Sequence, residues 1–504
     1  MRRLGFLVVC ILVLGGLSSP SYAAPGHQLQ HHDGPAFLNY GPHKADSVVA
    51  ARGTTAVPGI NVSDDTTRLC ASTYEGSTTP LPTKLCVWYA SSGPNAASDA
   101  YAASVRDTLQ HVESTYLAAG YLPVEPSQDP QPGYGGSMNV YLHDLGSSRL
   151  YGFTAPDSGR GQVSRSGYDR AAYMVIDRGY PASYYPDANG FPGCLANCSS
   201  QLMQVTIAHE FFHATQFAYN AVASDRWFME ATATWAETQV FPALHDNWLY
   251  LSTSAPTGSP RPDGVFSQPW EPLDDNSGGP TGQAYYQDFA WIQYLGNAFP
   301  AKVGSMPAVV LNAWRFSSAR QGLPSFFSVT AISRAIIQAG GSLPNAWLTF
   351  STGNRRHLLG TGYPQSRAIW GRTVTASNLA PATVRGSVNH LSSQTFVLAP
   401  QRLPNTEHVH LTVRVSNQTG TVAGVTVYYR NGTIRTYRMA FARGVAAQNF
   451  SFDSASLLRV ELTIGNAASS YTNCWTGTTA YACEGGVPTV DRVGFTWTGT
   501  FYHL

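Results

Sequence analysis

Charge is what this chain has least of. Of 504 residues only 12% are Asp, Glu, Lys or Arg, and the net charge is +1. That is about half the charged share of an ordinary globular protein. There is no basic stripe and no acidic run. This removes the electrostatic footprint of a nucleic-acid binder and of a protein held on an anionic membrane. Long apolar runs are also scarce. The one that stands out, "LGFLVVCILVLGGL" (4–17), is too short to span a bilayer, and no other stretch approaches 18 apolar residues. No internal repeat is visible. Cysteine is sparse as well, with seven in all.

What is present begins with that first run. Arg2 and Arg3 precede it and "SSPSYAA" follows, with Ser21 and Ala23 at the −3 and −1 positions of a small-residue cleavage site. Residues 1–23 read as a secretory signal peptide, so the mature protein is expected outside the cell, without a membrane span. Its removal takes Cys10 away. The six cysteines left fall into local pairs, Cys70/Cys86, Cys194/Cys198 and Cys474/Cys483. In an oxidising compartment an even set reads as disulfides, with nearest-neighbour pairing expected.

The chain then divides by texture. Residues 24–65 are polar and punctuated by Gly and Pro, and carry His27, His31, His32 and His43; they read as a disordered leader or short pro-segment. Residues 66–371 mix strands ("SMNVYLHD", 137–144; "AAYMVID", 171–177) with helices at 98–121, 204–220, 224–241, 282–299, 303–315 and 328–340. Ser224 and Asp225 are suitable caps for the helix at 224–241. Residues 372–504 alternate in the manner of an antiparallel sandwich. Val409, Leu411, Val413 and Val415 share one face, and Asn431-Gly432 suits a type I′ hairpin turn. The chain as a whole reads as α+β.

The stretch that carries chemistry is "QVTIAHEFFHATQFAYN" (204–220). On a helix His209 and His213 stand one turn apart and aim at one point, as two ligands of a tetrahedral zinc require. Glu210 is rotated by about 100° from His209. It can reach a water at the metal without filling a coordination position. A core helix that carries two hydrogen-bonded histidines is the bland alternative. The third ligand is sought in "WFMEATATWAE" (227–237), where Glu230, Thr234 and Glu237 share a helix face between tryptophans. A carboxylate there is costly unless paired or metal-bound. Glu230 is the expected ligand, and Glu237 a supporting or substitute group.

"HEFFHATQFAYN" followed by "WFMEATATWAE" resembles the gluzincin class of zinc metallopeptidases, and within it a group of secreted bacterial metalloproteases. The resemblance implies a zincin-like domain: a small mixed sheet, active-site helices and a helical C-terminal subdomain. It implies Zn²⁺ on His209, His213 and Glu230, a zinc-activated water with Glu210 as general base, and protein or peptide substrates. A Tyr or His is expected to meet the developing oxyanion; Tyr285 and Tyr286 are the nearest matches, and His245 is another. Many gluzincins place an Asp four residues after the ligand glutamate to buttress a histidine; here Thr234 stands there, so the buttress comes from elsewhere. Two other readings stay open. One is an extracellular binding or adhesion protein with a structural zinc, its β domain touching glycans or cell wall through Tyr428, Tyr437 or Trp475. The other is a zinc amidase acting on peptidoglycan.

Overall fold

The computed structural model describes residues 65–503, apart from 128–132, 147–149, 157–168, 192, 221–224, 252–263, 267, 277–283, 319–325, 357–370, 375–381, 399–406 and 475–478. The signal-like segment 1–23, the leader as far as residue 64, Ser224 and Trp475 lie outside the described residues. Five strands come first: β1 (Thr67–Thr73), β2 (Pro80–Tyr89), β3 (Ser137–His143), β4 (Gly152–Pro156) and β5 (Ala172–Asp177). The helices used below are α1 (Asp99–Ala118), α2 (Ser199–Asn220), α3 (Arg226–Val240), α4 (Ala284–Gln287), α5 (Phe289–Ala298), α6 (Ala308–Ser317), α7 (Ser328–Gln338) and α8 (Leu343–Arg355). The architecture is α+β, and two compact units divide it. The first holds β1–β5, α1, α2, the greater part of α3, and α6; the second holds the opening residues of α3, with α4, α5, α7, α8 and the C-terminal strands.

The first unit is built on a mixed sheet in the order β1-β2-β3-β5-β4. The strands β2, β3 and β5 run parallel, while β1 and β4 are antiparallel edges. Every residue of β3 and β5 is buried, as parallel central strands covered on both faces must be. Cys70 faces Cys86 across β1 and β2 and is bonded to it. The pairs Cys194–Cys198 and Cys474–Cys483 are bonded too, so the local pairing holds throughout. Helix α1 starts at Ser98, whose side chain accepts the Tyr101 N–H. It ends in a Schellman motif, with Gly120 N–H on Leu117 O and Tyr121 N–H on Tyr116 O. Gly120 is needed there, since its φ is +79°.

Apart from a short pair of Tyr471–Thr472 with Val487–Pro488, nine C-terminal strands form two sheets among the described residues. They are β6 (Arg372–Val374), β7 (Ala382–Val388), β8 (Ser392–Leu398), β9 (Glu407–Val415), β10 (Thr421–Tyr429), β11 (Ile434–Met439), β12 (Val445–Ser451), β13 (Leu457–Asn466) and β14 (Val493–His503). One sheet runs β11-β10-β13-β8-β6 and the other β12-β9-β14-β7. A single core joins their inner faces, with Val409, Leu411 and Val413 from one meeting Val425, Leu462 and Ile464 from the other. Helix α8 lies on the first sheet, where Gly424 and Gly465 let Leu348 and Trp347 approach the backbone. Glu461 is buried there, but its charge is met by Arg355 and Arg459, and Tyr428 donates to it.

Four local expectations are corrected. The turn after β10 is not type I′: Gly432 has φ +84°, but Asn431 is not among the positive-φ residues. Gly432 N–H instead bonds Tyr429 O and Asn431 Oδ1 accepts the Thr433 N–H, closing a type I turn with a bulge at glycine. The helix expected over 303–315 begins only at Ala308, because Pro307 has no N–H and sits extended. The helix expected over 282–299 is two pieces, divided at Asp288. Asp225 does not cap α3 with its carboxylate. Its two oxygens accept Ser328 N–H and Oγ–H and Cys483 N–H.

Candidate metal centre

Helix α2 carries the two histidines and is buried on every side from Leu202 to Asn220 except at Gln204. A helix that is apolar all round belongs in a core. Edge strand β4 and helix α1 grip it through backbone carbonyls. The Thr154 hydroxyl donates to Glu210 O at 2.8 Å, and the Tyr116 hydroxyl to Ala208 O at 2.8 Å. Phe212 is clasped by Tyr116, Tyr121 and Trp235, with ring centroids 5.2, 5.3 and 6.5 Å away. The helix therefore cannot rotate without breaking its core.

This fixes the imidazoles. His209 and His213 are 1% and 0% exposed, and their rings meet edge to face at 4.8 Å. Each Nδ1 is engaged. His209 Nδ1 lies 2.7 Å from Glu237 Oε1, and His213 Nδ1 lies 2.8 Å from Gln216 Oε1. With an acceptor on each Nδ1, the neutral rings carry their proton there, and Nε2 is the atom that could bind a metal. Gln216 is itself anchored, since its Nε2 donates to Thr232 Oγ1 at 3.0 Å.

Glu230, 2% exposed on α3, completes a buried group that could hold a metal ion. One ligand atom from each of His209, His213 and Glu230 lies within 4.8 Å of the others. Some point is then within about 2.8 Å of all three, a small side-chain adjustment from metal bonds of about 2.1 Å. Two imidazoles and one carboxylate suit a borderline divalent metal and leave coordination positions to spare. No other such group occurs among the described residues.

Glu210 is 0% exposed. Gly152 of β4 runs against it: a Cβ at Gly152 would stand 3.2 Å from Glu210 Cγ and 2.9 Å from Thr206 Cγ2. Strand and helix can approach this closely only because residue 152 is glycine. Tyr285, at the start of α4, is close enough to Glu230 and Arg226 to feel both charges. Burial first, then Glu230, pushes its phenol up to about 12. It keeps its proton at neutral pH. Tyr286 stacks on Tyr250 at 5.1 Å and meets Tyr285 edge-on. His245 sits at φ +49°, stacked on Trp248 at 3.9 Å, and is not one of the three clustered groups.

Sequence reasoning singled out the three clustered residues, Glu210 and Glu237. It passed over Gln216, Thr232 and Gly152. Of the aromatics considered as glycan contacts, Tyr428 is buried and Tyr437 half-buried. Tyr428 is 7% exposed under Arg459, and Tyr437 lies against Phe450.

No family model matches the chain, and no curated protein matches it. Among solved structures, the pre-peptidase C-terminal domain of a collagenase from Bacillus anthracis aligns with 27% of this chain and 99% of its own, at 9% identity and TM-score 0.16. The periplasmic g-type lysozyme inhibitor PliG of Aeromonas hydrophila aligns with 26% of this chain and 96% of its own, at 12% identity and TM-score 0.16. A GH115 4-O-methyl-α-glucuronidase aligns with 77% of this chain and 54% of its own, at 8% identity and TM-score 0.14. Scores this low leave the site's own geometry as the ground for a functional reading.

Proposed function

We propose that the protein is a secreted zinc-dependent peptidase of gluzincin type. The observation that carries this reading is the buried group His209, His213 and Glu230, with Glu210 next to the first ligand. A small mixed sheet above two site-bearing helices agrees with the zincin-like arrangement that the sequence resemblance implies. Three disulfides agree with an oxidising compartment, and among the described residues no helix is long and apolar enough to cross a membrane.

His209, His213 and Glu230 would hold the ion, and Glu237 and Gln216 fix the tautomer and the aim of the two imidazoles. When bound, zinc supplies Lewis acidity, lowering the pKa of a water toward neutrality and polarising the substrate carbonyl. Glu210 would take a proton from the water that attacks the substrate carbonyl carbon and would deliver it to the leaving amine. Tyr285 is the favoured donor to the developing oxyanion, because it retains its proton and stands near Glu230. Tyr286, stacked on Tyr250, positions it.

The test is hydrolysis of a mixed quenched-peptide library by the mature protein and by Glu210→Gln, with zinc quantified in both. Equal zinc with cleavage by the wild type alone is the expected result. Equal zinc with no cleavage by either protein overturns the peptidase reading in favour of a structural site.

A further inference from the structure

The near-zero net charge of the chain conceals an uneven distribution. Residues 372–504 hold ten arginines, no lysine and five acids, an excess of five positive charges. Residues 65–371 carry 17 basic and 22 acidic side chains, an excess of five negative ones. The arginines of the C-terminal part are scattered in sequence, but the strands gather four of them.

The gathering point is one end of the sheet β12-β9-β14-β7. Arg414 of β9 and Arg385 of β7 both lie opposite Thr496 of β14, so the three share one face. Two strand spacings put the arginines roughly 10 Å apart. Arg443 stands in the turn that enters β12, beside Gly444, whose carbonyl accepts the Val415 N–H. Arg492 precedes β14, where Gly494 O accepts the Ser416 N–H. All four arginines are exposed, and no side-chain hydrogen bond or ion pair joins any of them to a described residue. Asp491, the acid beside Arg492 in sequence, is engaged elsewhere: its Oδ1 accepts the Tyr481 hydroxyl and the His390 N–H.

The rest of this face is polar and uncharged by any acid. The strand register places no Asp or Glu on it among the described residues. Thr412, Thr498 and Thr383 form one row across three strands, and Asn449 and Thr500 flank His410 in the next. A polar outer face is ordinary for an antiparallel sandwich. Four unpaired cations at one end of it, in a chain with so little charge, are not, and they give that end a positive field.

We infer that this face binds an acidic polysaccharide, with Arg385 and Arg414 each taking one of its carboxylates. Charge complementarity selects a polyanion. The arginines do not converge on one point, so a single small anion is a poor match, whereas a polymer with repeated anions meets them in turn. Arginine holds a carboxylate by two parallel hydrogen bonds, which suits it to this contact. The rows of threonine and asparagine offer hydroxyls and amides to sugar hydroxyls along an extended chain. A nucleic-acid strand is the poorer match, because it is held by aromatic platforms along its path. The stacked pair on this face, His408 on Tyr502, lies at the end away from the arginines. The inference is independent of the peptidase reading, since no residue of the candidate metal centre lies on this face.

Calorimetry on the full mature protein at low ionic strength tests this with polygalacturonate. Its methyl ester is the uncharged control, and polyglutamate is a polycarboxylate without sugar hydroxyls. Polygalacturonate is expected to bind saturably, at least about tenfold tighter than either control, and more weakly as salt is added. Arg385→Gln with Arg414→Gln should weaken binding about fivefold or more. Arg435→Gln with Arg438→Gln removes the same charge from exposed positions on β11, in the other sheet. That pair should change binding by less than about twofold. Thermal unfolding of all three proteins is expected to coincide, since the four positions are exposed. No binding by the wild type, equal binding of polyglutamate, or an equal loss in the two double variants overturns the proposal. Tighter binding of duplex DNA or of phosphatidylserine vesicles than of polygalacturonate also overturns it, and assigns the face to that other polyanion.

Discussion

His209 Nδ1 and Glu237 Oε1 stand 2.7 Å apart, both side chains almost fully buried. Glu237 lies two turns beyond Glu230 on the same helix, so one helix contributes both a member of the candidate metal group and the carboxylate that holds one of its imidazoles. The carboxylate partner that Thr234 does not offer to a histidine is supplied by Glu237, three residues along α3. A carboxylate behind a ligating imidazole raises its basicity and fixes its tautomer. Glu237→Ala should therefore weaken zinc affinity by about 10- to 100-fold. Competition with a chelator of known affinity measures this, and an unchanged affinity would reduce Glu237 to packing.

The second imidazole is held by a neutral relay. His213 donates to Gln216, and Gln216 donates to Thr232 on α3. Gln216→Leu removes the acceptor that keeps the His213 proton on Nδ1, and should lower zinc affinity by about tenfold or more. Thr232→Val touches only the far end and should have a smaller effect in the same direction. The same chelator competition ranks the two variants, and the reverse ranking would contradict the relay.

Gly152 sets the distance between β4 and Glu210. Gly152→Val places methyl groups where Thr206 Cγ2 and Glu210 Cγ already lie. The strand must move away or Glu210 must turn. We expect a loss of about 1–3 kcal/mol in stability from overpacking. We also expect a fall in kcat that exceeds any change in zinc content, because the clash falls on Glu210 and not on the ligands. Thermal unfolding, zinc analysis and steady-state kinetics on the same preparation separate the effects.

How much of this was legible from sequence follows the range of the interactions. The spacing of His209 and His213 is a local, helical fact, and it survives folding unchanged. Glu230 and Glu237 could be singled out because carboxylates are so rare in this chain that two beside tryptophans on one helix face demand a reason. Gln216 gave no comparable signal. An amide three residues after a histidine is ordinary on any helix, and its role depends on Thr232 being brought alongside by the fold. Gly152 was equally silent, since a strand glycine has meaning only once a helix lies against it. The local errors have the same origin. Asp225 looks like a cap, but its oxygens are claimed by Ser328 and Cys483, more than a hundred residues away. The Asn431-Gly432 pair fits two turn types, and the strand pairing selects the one that needs a positive φ only at the glycine.

Glu113 is a buried acid on α1, 1% exposed, and neither carboxyl oxygen has a hydrogen-bond partner among the described residues. Desolvation pushes its carboxyl up to about 8. In the unfolded chain a glutamate titrates near 4.3. Below that value both states are protonated and Glu113 exacts no ionic penalty. Between about 4.3 and 8 the folded state holds the proton that the unfolded state releases, so folding stability falls as pH rises through this window. Glu113→Gln is isosteric and cannot ionise. It should leave stability near pH 4 almost unchanged and raise it by roughly 2–4 kcal/mol at pH 8. Denaturant unfolding of both proteins at the two pH values checks this. Equal stabilities at pH 8 would mean that the Glu113 charge is met in the folded state by a group or water that relieves its burial.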